Sequence, residues 1–104
     1  MAKNYSGAGS SRTFKSPTGG TKAGVPVAIN AMVVMPLEDT VKDQPFTGVL
    51  GEAWVLPVTG ALKAGVKVSL LAGVLVADGT ADAVPFGKLL TDAVGGYAEA
   101  LLIQ

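Results

Sequence analysis

Residues Lys22–Met35 (KAGVPVAINAMVVM) and Lys63–Val76 (KAGVKVSLLAGVLV) are one segment written twice: seven of the fourteen aligned positions are identical. Most of the remaining positions exchange one apolar residue for another. The echo continues downstream, where Pro45-Phe46-Thr47-Gly48-Val49-Leu50 answers Pro85-Phe86-Gly87-Lys88-Leu89-Leu90. Glu52-Ala53-Trp54-Val55-Leu56 then answers Glu99-Ala100-Leu101-Leu102-Ile103, after an extra Thr91–Tyr97 in the second copy. An open solenoid needs about three repeats or more to stack. Two copies are therefore expected to close on each other as one domain with pseudo-two-fold character.

Each copy has the period of a strand. Val25, Val27 and Ile29 alternate with Pro26 and Ala28, and Val66, Val68 and Leu70 alternate with Lys67 and Ser69. Alternation of this kind marks half-buried strands. Pro26 cannot donate to a ladder, so its strand belongs at a sheet edge. Short links, Asn30-Ala31 and Ala72-Gly73, lead into second apolar runs at Met32–Met35 and Val74–Ala77, which makes two hairpins in corresponding places. Gly and Pro interrupt every candidate window for a long helix, and at most a short one fits Thr80–Ala83 or Thr91–Val94. The expected fold is all-β, a small barrel or sandwich over residues 22–104, with repeat halves 22–58 and 63–104.

Residues 1–21 read as an extended basic arm ahead of that domain. Ser, Gly, Thr and Lys dominate, with Tyr5 and Phe14 as the large apolar anchors and Arg12–Ser16 as a possible short strand. Such composition buries too little to order itself, so removing residues 1–20 is expected to leave the melting temperature nearly unchanged. Charge is divided along the chain. Lys3, Arg12, Lys15 and Lys22 occur before any acid, whereas the eight acids all lie from Glu38 onward. A basic leader on an acidic body suits an arm that settles on an acidic surface, and Lys3, Tyr5, Arg12, Phe14 and Lys15 are its candidate partner contacts.

The 104 residues include no Cys and no His, which takes away thiolate chemistry, the commonest metal ligand and the commonest neutral-pH base. A phosphate loop requires G-x-x-x-x-G-K-[ST], but Gly87-Lys88 is followed by Leu89, and Gly19–Gly24 lacks the closing Gly-Lys-Ser/Thr. Gly7-Ala8-Gly9 has Arg12 where a dinucleotide fingerprint needs its third glycine. The acidic groups Glu38-Asp39 with Asp43, and Asp78 with Asp82, follow no calcium-loop spacing and fall at turns. Glu52 and Glu99 occupy corresponding places in the repeat, where an acid/base couple or two outward strand positions are the alternatives. Trp54 has Leu101 as its repeat mate and is expected in the core. No enzyme activity, cofactor, nucleic-acid partner or membrane partner is expected. Met1–Pro17 is too polar for a signal peptide, and the longest apolar runs fall far short of the roughly 20 residues a membrane helix needs.

Several features together resemble a known family. They are the opening Met-Ala-Lys-Asn-Tyr, the Gly19-Gly20 turn, and Gly24-Val25-Pro26-Val27 leading into a hairpin. Gly51–Pro57 (GEAWVLP), Lys63–Val68, Val84–Leu89 (VPFGKL) and a closing alternating strand continue the order. The chain resembles the small phage and prophage proteins long catalogued as a domain of unknown function and regarded as capsid decoration, or cement, proteins. Members sometimes carry the label RecA-like recombinase, which a chain this short without a phosphate loop does not fit. The resemblance covers nearly the whole chain and rests on short apolar motifs. It implies a β-rich structural protein on the outside of a phage head, made in the host cytoplasm and bound to the major capsid protein. A homotrimer is expected, with a dimer as the alternative. Lys88 stands where relatives typically continue with Val or Ile, which places it at the surface. The alternatives are another virion or tail structural protein, or a β-barrel that binds a small ligand or carbohydrate.

Overall fold

The computed structural model describes residues 9–104, all of it strand, turn and loop. Two antiparallel sheets form a sandwich. The first contains β1 (Ser11–Lys15), β2 (Val27–Ile29), β3 (Met32–Pro36) and β4 (Pro45–Val49), in the order β1-β4-β3-β2. The second contains β5 (Ala53–Pro57), β6 (Lys67–Leu71), β7 (Val74–Ala77), β8 (Val84–Leu89) and β9 (Tyr97–Leu102), in the order β5-β9-β8-β6-β7. The segments 80–83 and 91–94, read above as possible helices, are turns and a bridge. Among the described residues barrel closure is confined to the seam between the end of β5 and β7, where Val58 bridges Leu75 and Thr59 N donates to Leu75 O.

The duplication is written most clearly in the backbone hydrogen bonds. Ser16 N donates to Gln44 O at 2.8 Å, as Val58 N does to Gly96 O at 2.8 Å. Leu50 N donates to Ser10 O at 2.9 Å, and Leu102 N to Glu52 O at 3.0 Å. Leu37 N reaches Thr47 O, and Leu90 N reaches Glu99 O. The ladders match as well: Thr13 opposes Thr47 as Val55 opposes Glu99, and Val27 opposes Val34 as Val68 opposes Gly87. Thus β1, β2, β3 and β4 correspond to β5, β6, β8 and β9. The insert is 72–83, which carries β7 along the outer side of β6. β3 lies against β8, its own counterpart, as a local two-fold axis between the halves requires.

This frame corrects the repeat drawn from sequence. Lys22–Asn30 does correspond to Lys63–Leu71, but Met32–Met35 corresponds to Pro85–Lys88 and not to the run at Val74. The Pro45-Phe46 block matches Tyr97-Ala98, so the halves begin at β1 and β5 instead of at 22 and 63. The boundary at 21 moves for the same reason. Ser11–Lys15 is extended as expected, but as a paired strand of the first sheet. Its composition looked too poor to order because its apolar partners, on β4, lie some thirty residues away in the sequence.

The core lies between the sheets. Val33, Met35 and Val49 meet Leu56, Leu75, Phe86, Leu89 and Ala100 there, with Trp54 and Leu62 packed at its margin. A smaller apolar cluster occupies the opposite face of the first sheet, where Phe46 and Val34 are buried and Phe14 tilts onto Phe46 at 5.9 Å. Gly48 makes room for it, since a Cβ there would stand 2.9 Å from Phe14 Cδ2 and 3.2 Å from Val34 Cβ.

The terminal glutamine ties the halves together. Gln104 Nε2 donates to Val33 O at 2.6 Å and to Leu50 O at 3.0 Å, while Gln104 Oε1 accepts from Val33 N at 3.2 Å. The side-chain amide thus acts as one more peptide of a strand. In the second half, backbone does the equivalent work: Ile103 N donates to Phe86 O, and Phe86 is the counterpart of Val33. Replacing Gln104 by Ala would leave both backbone groups of a fully buried residue unpaired. A loss of about 1–3 kcal/mol in urea unfolding is expected. Gln104→Glu should fare no better, because a carboxylate cannot donate to Val33 O.

Candidate interaction surface

Among the described residues, β1 forms an outer edge of the first sheet and pairs only on its β4 side. Ser10 and Ser16 carry backbone groups bonded toward β4. Partner groups alternate along an antiparallel strand, so the amides and carbonyls of Ser11, Thr13 and Lys15 point outward. An open row of this kind is a template for another strand. The corresponding edge, β5, is guarded: Pro57 offers no N–H on the outward side, and Thr59 N already donates to Leu75 O.

Arg12, Phe14 and Lys15 all lie on β1. Arg12 and Lys15 are exposed, and Lys15 Nζ stands 4.0 Å from an Asp43 carboxylate oxygen. Both partners of that pair are well solvated, so it adds little to stability. Phe14 differs from the other two, being half-buried against Phe46 and over Gly48. Lys3 and Tyr5 lie outside the described residues.

The acidic groups act as local hydrogen-bond acceptors. Asp39 Oδ1 takes the Ala23 amide at 2.8 Å, Glu38 Oε1 takes the Thr47 amide at 2.7 Å, and Asp92 Oδ1 takes the Ala64 amide at 2.8 Å. Among the described residues no three Asp or Glu side chains converge as a metal site would need. Glu52 and Glu99 are not counterparts. Glu52 corresponds to Ser10 and Glu99 to Thr47, because the sequence alignment slipped across the insert. Trp54 is half-buried on the core margin, and its Nε1 donates to Gly51 O at 2.9 Å. Its counterpart is Arg12, not Leu101. Lys88 is exposed on β8.

Three hydroxyls form a chain in the first half. Thr21 Oγ1 lies 2.6 Å from Thr40 Oγ1, which lies 2.9 Å from Ser16 Oγ, and Thr21 Oγ1 also donates to Glu38 O. The counterparts of Ser16, Thr21 and Thr40 are Val58, Leu62 and Ala93, which pack on the core. The hydroxyl chain is thus a polar version of an apolar joint. All of its groups are satisfied internally, which leaves nothing for substrate.

A trough of about 410 Å³ runs between β2 and the β6–β7 hairpin, lined by Pro26, Val27, Leu70, Leu71 and Gly73. Asp82 is the one charged residue on its wall. Small-molecule sites usually converge several polar groups to fix orientation, and this trough does not. Among the described residues no helix is long and apolar enough to cross a membrane. No family model, no curated protein and no solved structure matches the chain.

Proposed function

We propose that this chain is a structural virion protein that decorates the outside of a bacteriophage head by binding the lattice of the major capsid protein. The observation that carries the reading is the open β1 edge, set between exposed Arg12 and Lys15 on an otherwise acidic body. The likeness of its motifs to the decoration family supplies the partner. Strand addition at this edge gives affinity through main-chain hydrogen bonds, while the basic side chains steer the edge toward acidic shell surface. Repetition over neighbouring shell subunits multiplies contacts that are individually weak. The protein is made in the host cytoplasm, ends on the head surface and acts there as a homotrimer, or failing that a dimer.

Thr13→Pro tests the reading. The Thr13 amide points away from β4, so proline removes an outward donor and spares the internal ladder. Co-sedimentation with heads that lack the protein should fall roughly tenfold or more, matching one or two lost interfacial hydrogen bonds. The melting temperature should shift little. Wild-type retention should also weaken as salt rises, because exposed charges are screened. Undiminished retention of Thr13→Pro would remove the edge from the mechanism.

A further inference from the structure

Comparison of the two halves, strand by strand, reveals which residues duplication has left alike. Most core positions have diverged: Val33 corresponds to Phe86, Met35 to Lys88, and Phe46 to Ala98. Apart from the pairs Val27/Val68, Leu50/Leu102 and Gly9/Gly51, identity is concentrated in two short segments. Lys22-Ala23-Gly24-Val25 matches Lys63-Ala64-Gly65-Val66, and Leu37, Asp39 and Val41 match Leu90, Asp92 and Val94. In each half these segments adjoin. Gly24 N donates to Pro36 O and Ala23 N to Asp39 Oδ1, while Gly65 N donates to Leu89 O and Ala64 N to Asp92 Oδ1.

Glycine and aspartate hold that joint together, so their retention has a structural cause. The apolar residues crowning it have no such cause. Leu37 and Leu90 are 50 % and 44 % exposed, and Val41 and Val94 are 66 % and 76 % exposed. Val25 and Val66 are exposed as well. Single exposed apolar side chains are ordinary on a protein surface. The same ones on the same turns of both halves, where most buried positions have drifted, mark a surface that binds something.

We infer that the two joints are twin self-association patches, each of which docks on a patch of a second copy of this chain. The charges favour this occupant. Each patch presents one Lys and one Asp in the same positions, Lys22 with Asp39 and Lys63 with Asp92. When two such patches meet about a two-fold axis, the Lys of each faces the Asp of the other and the apolar crowns pack between them. The Lys63–Asp92 pair within one chain is solvent-exposed at 4.0 Å, so exchanging it for an intermolecular pair costs little. Two patches per chain allow growth beyond a dimer, up to a closed ring. The inference concerns the purified chain alone, so it can fail while head decoration stands, and the reverse.

Sedimentation velocity on the full chain across the micromolar range tests it. The wild type should exceed a dimer. Leu90→Asp keeps one working patch and should stop at a dimer, as should Leu37→Asp. The double variant should be monomeric, with self-affinity reduced at least about 30-fold per lost apolar anchor. Circular dichroism checks the fold, and if the Leu variants unfold, Val41→Ser with Val94→Ser asks the same question. A monomeric wild type, or a double variant with wild-type mass, overturns the inference. A monomeric wild type whose head binding is lost in the double variant would also overturn it and assign the patches to a partner protein.

Discussion

Gly87→Ala is expected to destabilise the protein by about 3 kcal/mol or more, a large share of a small domain's stability. Gly87 has φ 157°, and a Cβ there would lie 2.0 Å from Leu101 O and 2.9 Å from Ile103 N. Both obstacles are backbone, so no side chain can swing aside. Relief would require pulling β9 from β8, where Gly87 faces Leu102 beside the bulge at Val68/Ser69. Strain of a disfavoured backbone conformation adds to the clash. Gly19→Ala is the matched control, since open space surrounds that position. Urea midpoints should separate the two clearly, and equal midpoints would show that the β8–β9 approach is looser than described.

Removal of residues 1–15 is expected to lower the melting temperature by roughly 15 °C or more. This reverses the expectation drawn from composition. Phe46 is 1 % exposed with β1 in place, and truncation would uncover it together with one side of the β4 ladder. The loss of Phe14 burial and several strand hydrogen bonds sums to about 4 kcal/mol. Starting the chain at Gly9 instead spares β1, so the difference between the two truncations isolates what residues 9–15 contribute. Thermal melts of the two truncations decide the point: equal melting temperatures would return Ser11–Lys15 to the status of a detachable arm.

The strands were legible because alternation at Val25–Ile29 and Val66–Leu70 reports burial directly. The edge position of β2 followed from Pro26. The pairing was not legible. Local identity aligned the β3 run with β7, because Val-rich strands look alike and no short-range signal marks 72–83 as an insert. Only long-range bonds, such as those from Leu37 to Thr47 and from Leu90 to Glu99, fix the true frame. The same slip gave Trp54 and Glu52 the wrong counterparts. Of the candidate contacts, Arg12 and Lys15 lie on an open edge, but Phe14 had a partner 32 positions away that composition cannot show. The twin patches were invisible for a related reason. Nothing in the sequence marks Leu37 and Leu90 as exposed, and their significance needs exposure and correspondence together.

The claim of head decoration meets its most direct test in the particle itself. Under the proposed reading the chain is phage-encoded, and purified particles should contain it in a fixed ratio to the major capsid protein by quantitative mass spectrometry. That ratio should survive repeated gradient purification, and partial digestion should leave the chain accessible from outside. Finding the chain only in the soluble fraction of infected cells, and absent from purified particles, would contradict the account.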